Sequence, residues 1–121
     1  MIFELRLPVI NPQMSGATLE YLHSTGGSLR VGSKLLDVSV DLGKAFAQEC
    51  PPISYYRFVM REAVWLREIK VRPGQYSEVD DPIALFSSGP DEDLNQPIKR
   101  PVRVTVAGIM YHSDMWTAGD R

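Results

Sequence analysis

Apolar residues along this chain recur mostly at every second position, in short runs separated by Gly, Pro, Ser, Asn and Asp. That alternation predicts half-buried β-strands rather than helices. Ile2 to Val9 reads as a first strand and Ala17 to Leu22 as a second, ending at the turn signal Gly26-Gly27. Lys34 to Val40 places Leu36, Val38 and Val40 on one face. Ser54 to Met60 and Ala63 to Val71 follow, then the turn Arg72-Pro73-Gly74, then Pro82 to Phe86 and Val102 to Val106. Leu42 to Cys50 is the best helical candidate, and Pro51-Pro52 stops it. Ser87 to Pro97 is polar and acidic and predicts a linker or mobile loop.

The strand pattern repeats. Leu19, Leu22, Gly27, Leu29, Leu36 and Val38 recur 47 residues on as Leu66, Ile69, Gly74, Tyr76, Ile83 and Leu85, without a gap. A turn glycine inside such a match marks a duplicated strand–turn–strand unit. Two units of that kind bury each other's apolar faces by packing with pseudo-twofold symmetry.

With 121 residues, one domain is expected, large enough for a core without disulfides or metals. The net charge of −2, with Lys and Arg dispersed, gives no footprint for nucleic acid or an anionic membrane. Cys50 is the single cysteine, so no disulfide framework forms within the chain, and a reducing cytoplasm fits. No apolar run is long enough to span a bilayer, and the N-terminus has no signal-peptide core.

Leu7-Pro8, Met14-Ser15-Gly16, the turn glycines Gly27 and Gly32, and the strand Lys34 to Asp41 resemble the first half of the biotinyl/lipoyl attachment domain family. Ala63 to Val71, Gly74 and Asp81-Pro82-Ile83-Ala84-Leu85-Phe86 resemble its second half. The resemblance covers roughly residues 5 to 88. It implies an all-β fold, a barrel-sandwich hybrid of two quasi-symmetric antiparallel halves, here with a short helix or loop inserted at the central hairpin. Residues 1–88 would form this domain, and residues 89–121 a linker and a C-terminal strand extension packing on it. The family carries lipoate or biotin on one lysine at a hairpin tip.

Alignment on Gly32 sets Asp41 on the family aspartate but puts Leu42 at the lysine position. Lysine comes two residues later, in Gly43-Lys44-Ala45. A two-residue shift keeps the strand face but moves the amine by roughly 7 Å. The connection between Asp41 and Ala63 is also longer than the family's. Lys44 is therefore the candidate attachment residue, flanked by Asp41, Leu42, Gly43 and Ala45, and the plainer reading makes it a solvated loop lysine. The first expectation is no cofactor, with lipoate as the possible one. Biotin fits less well, because Lys34, Lys44, Lys70 and Lys99 all lack flanking methionines.

His23 and His112 have no Cys or carboxylate at ligand spacing, so no metal site is expected. No nucleophile–base pair, phosphate loop or acid–base carboxylate pair is recognisable, so no catalytic residue is assigned. Leu42, Phe46 and Cys50 suit the apolar side of a capping helix, and Tyr55, Tyr56 and Phe58 suit core and cross-strand packing. The C-terminal run, with Val102, Val104, Val106, Ile109, Tyr111 and Trp116, would either cover a sheet edge of its own chain or pair with a second chain. The expectation is a cytoplasmic biotinyl/lipoyl-like domain without the standard lysine. It would serve as a non-catalytic binding or scaffolding subunit, with other complex subunits or a second copy as partners. A swinging-arm carrier modified at Lys44 is the alternative.

Overall fold

The computed structural model describes residues 1–41 and 53–109, and the predicted helix over Leu42 to Cys50 lies outside them, as do Tyr111, His112 and Trp116. The described residues form ten strands and no helix: β1 (Ile2–Arg6), β2 (Gly16–Leu22), β3 (Gly27–Leu29), β4 (Lys34–Asp41), β5 (Ile53–Met60), β6 (Val64–Ile69), β7 (Tyr76–Glu78), β8 (Pro82–Ser87), β9 (Ile98–Pro101) and β10 (Val104–Ile109). The fold is all-β. Two five-stranded sheets, in the orders β3-β6-β8-β1-β9 and β10-β5-β4-β2-β7, pack over one core. Leu19, Leu36, Val38 and Phe58 enter it from the second sheet, and Phe3, Leu5, Leu66 and Phe86 from the first. All neighbouring strands are antiparallel except β1 and β9, so the first sheet is mixed.

The repeat is visible in the pairing. β2 lies between β4 and β7, and β6 lies between β8 and β3, so each half lends a short strand to the other half's sheet. Both β2 and β6 carry a bulge at the same place, at Glu20 and at Arg67. In each case the bulged residue's charged side chain bonds a serine on the neighbouring strand. Ser39 Oγ donates to Glu20 at 2.6 Å, and Arg67 donates to Ser87 Oγ at 3.2 Å.

The gapless match needs one correction. The offset of 47 holds from β2 to β6, where the bulges coincide, but it becomes 48 from β4 to β8. Leu19 faces Val38, whereas Leu66 faces Phe86 and not Leu85. The extra residue enters at the turn around Gly74: Ala17 faces Ser77 as Val64 faces Leu29. The slip was hidden because Ile83 to Phe86 are all buried, and a run apolar on both faces does not fix its own register.

The chain after β8 is no free linker. Arg67 donates to the Glu92 carbonyl at 2.7 Å, and the Ser88 amide donates to the Met1 carbonyl at 3.0 Å. β9 and β10 then form a strap from one sheet edge to the other, pairing with β1 and with β5. Glu62 holds its crossing point. Arg100 clasps its carboxylate through two bonds of 2.7 and 2.8 Å, and the Arg103 amide adds a third at 2.8 Å. The same Arg100 guanidinium sits 4.3 Å from the centre of the Phe3 ring.

Candidate functional site

From Leu36 onward the β4–β5 ladder runs without a register shift to its last rung, Asp41 opposite Ile53. β5 therefore begins at Ile53, one residue before the predicted strand start at Ser54. Asp41 is exposed at the end of β4. Lys44, Leu42, Gly43 and Ala45 lie outside the described residues, as does Cys50.

Beside Asp41 a cleft of about 280 Å³ opens on the outer face of the second sheet. Alternation sends Leu19, Leu36 and Val38 inward, so Thr18 and Ser39 point outward and form its floor. Tyr76, Asp41 and Ile53 wall it. The Tyr76 ring lies directly over Gly16, where any Cβ would come within 2.6 Å of the phenol oxygen, and Ser15 Oγ stands 2.9 Å from that oxygen. Glycine at 16 is thus what lets the ring lie flat along the cleft wall. The lining is hydroxyl-rich with one carboxylate. By contrast, an interior crevice among Leu19, Phe58 and Val71 has about 10 Å³, room for at most one water.

The first sheet supplies an internal control. Thr18 faces Ser39, and at the equivalent rung Trp65 faces Ser87. There the row is closed: Ser87 is fully buried, and the loop through Gly89 and Glu92 binds over it. Where the second half places an indole, the first half places a threonine and leaves space.

A second constellation lies two residues along β4, on the same outer face. Asp37 is 1% exposed, and Arg57 on β5 grips both its oxygens at 2.8 and 3.1 Å. His23 Nε2 stands 3.0 Å from Asp37 Oδ1 but without the direction a hydrogen bond needs, so that buried nitrogen is unsatisfied among the described residues. Tyr21 packs edge-on against the imidazole at 4.8 Å. The paired residue at this place in the other half is Leu85, so the fold itself does not require the charge. The arrangement ties β2, β4 and β5 together, and its carboxylate is committed to Arg57. Sequence reasoning missed it. The available signal was a lone Asp37 inside the apolar strand Lys34 to Val40.

Among the described residues no three His, Cys, Asp or Glu side chains converge as a metal site, and no helix is long and apolar enough to cross a membrane. Tyr56 and Phe58 face the core, while Tyr55 lies with Arg57 on the outer face. Comparison of the chain with protein-family models, curated proteins and solved structures found no match.

Proposed function

We propose that this chain is a biotinyl/lipoyl-like domain of the barrel-sandwich hybrid kind, working as a non-catalytic binding or scaffolding subunit in the cytoplasm. The exchange of β3 and β7 between two quasi-equivalent halves supports the fold reading. The binding reading rests on one observation: among the described residues the cleft beside Asp41 is open in one half, whereas at the equivalent rung of the other half Trp65 faces a Ser87 that the loop through Gly89 and Glu92 covers. A hydroxyl-lined cleft with a tyrosine wall suits polar protein surface, where Tyr supplies contact area at low entropic cost.

The test is recovery of partners from native cells with the wild-type chain and with Thr18→Trp, which fills the cleft as the other half fills its own. Partners held by the wild type and lost by a folded Thr18→Trp support the reading. An identical set recovered with both sinks it.

The swinging-arm alternative draws on the β4–β5 ladder, because Asp41 ends a strand where the family presents its lysine. Intact mass of the chain from its native cells reads this directly. A lipoyl adduct that disappears in Lys44→Arg supports a carrier, and unmodified protein in cells with active lipoylation excludes it.

A further inference from the structure

The two sheets present four edges, and three are guarded. β3 has three residues and runs into Arg30, and β7 has three and runs into Asp80-Asp81. β9 has four residues, follows Pro97, ends in Pro101, and carries Lys99 and Arg100. Short length, proline and charge are the devices that stop a strand edge from pairing with another chain. β10 holds none of them within its length, and its flanking charge is Arg103 at its start. Its six residues, Val104-Thr105-Val106-Ala107-Gly108-Ile109, include no charge and no proline, and Thr105, Ala107 and Gly108 are exposed.

The direction of its backbone groups follows from the ladder. The Arg61 amide donates to the Arg103 carbonyl at 2.9 Å, and Arg103 stands one position before the Val104–Met60 rung. Antiparallel pairs alternate, so Thr105, Ala107 and Ile109 spend their backbone groups on β5. Val104, Val106 and Gly108 turn theirs outward, and no described strand meets them.

We propose that β10 is a homodimerisation edge, pairing antiparallel with β10 of a second copy about a twofold axis at Val106. The register is self-complementary. Val106 faces Val106 of the other copy, and Val104 faces Gly108 in both directions, giving on the order of six backbone hydrogen bonds. On the outer face Thr105 meets Ala107, so no like charges oppose each other. The core-facing Val104 and Val106 already pack against the sandwich interior, and pairing extends that apolar layer across the axis. The second sheets of the two copies become one continuous sheet of ten, and both clefts beside Asp41 stay open at the far side of β4.

Sedimentation equilibrium of the full chain reads the proposal, from about 1 to 200 µM. The wild type is expected to dimerise reversibly in that range. Gly108→Pro removes an outward N–H and leaves the β5 ladder intact, in a place where an added Cβ has open space. It should weaken the dimer at least tenfold with an unchanged far-UV circular dichroism spectrum. A wild type that stays monomeric at 200 µM overturns the proposal, as does a dimer unaffected by Gly108→Pro. Should that variant fail to fold, Thr105→Lys, which alters one exposed side chain beside the axis, is judged by the same tenfold criterion.

Discussion

Asp80 does in one half of the molecule what Gly32 does in the other. Each has positive φ, 77° and 93°, and each donates its amide at 2.8 Å to the strand crossing beneath, Asp80 to Leu7 and Gly32 to Met60. The following residues close the pair, with the Leu7 amide bonding to Asp81 and the Met60 amide to Ser33. The left-handed conformation costs a side chain roughly 1 kcal/mol or more and costs glycine nothing, with Asp among the more tolerant residues.

Asp80→Gly is accordingly expected to be neutral or to stabilise by up to about 1 kcal/mol, despite the looser unfolded chain. Its side chain is largely exposed, and Arg6 bonds its backbone carbonyl rather than depending on the carboxylate. Urea unfolding of the two proteins measures this. A loss above about 1 kcal/mol would show that the Asp80 carboxylate holds the turn.

Gly16 has the opposite reason for being glycine. A Cβ there would collide with the Ser77 carbonyl of β7 and with the Tyr76 ring. Backbone cannot yield as a flexible side-chain end can, so Gly16→Ala should cost about 1–3 kcal/mol. It should also displace Tyr76 from the cleft wall, read as a change in the Tyr76 ring resonances by NMR.

Asp37 is buried and pairs with a partly exposed Arg57, and removing one partner strands the other. Asp37→Asn is expected to destabilise by about 3–5 kcal/mol. Replacing both, as Asp37→Leu with Arg57→Met, copies the Leu85 of the other half and should recover most of the loss. Chemical denaturation of the single and double variants decides it. A double variant as unstable as the single one would mean the pair has further obligations on this face.

Glu62 makes the strap pH-sensitive. The hydrogen bonds from Arg100 hold its carboxyl below the ordinary value of 4.5, helped by the Arg103 amide and opposed by partial burial. A folded value below the unfolded one means that the contribution to stability is complete above about pH 4.5 and is lost as pH falls through the folded value. Glu62→Gln should therefore lower the melting temperature at pH 7 and show a flatter decline from pH 5 to pH 3. Parallel melting curves for both proteins would place the acid sensitivity elsewhere, such as at Glu92, whose carboxyl is also lowered, by the N-terminal amine.

Most strand positions were legible because those strands expose one face and bury the other, β8 being the exception. Lys34 to Val40 and Ser54 to Met60 grew by one residue each, to Asp41 and back to Ile53. Ile2 to Val9 shortened to Arg6, since Pro8 cannot donate to a ladder. The three short strands β3, β7 and β9 were not foreseen. Three or four residues carry too little alternation to register, and they are strands because a longer neighbour offers unpaired backbone. The candidate site was legible only at Asp41. Its other walls, Tyr76 and Gly16, stand 60 positions apart in the chain and meet through the β2–β7 pairing.

Apolar alternation and turn glycines are local properties of the chain, and they suffice to mark a β protein with a duplicated core. Which strands are neighbours, where the offset slips from 47 to 48, and that the strap's last strand has no described neighbour on its outer side became visible only in the fold. The physical reason is that alternation says which way a side chain points but not what it meets. Thr18 and Trp65 differ by one substitution in equivalent strands. It takes the opposing rows on the folded sheets to make one an open cleft and the other a closed face.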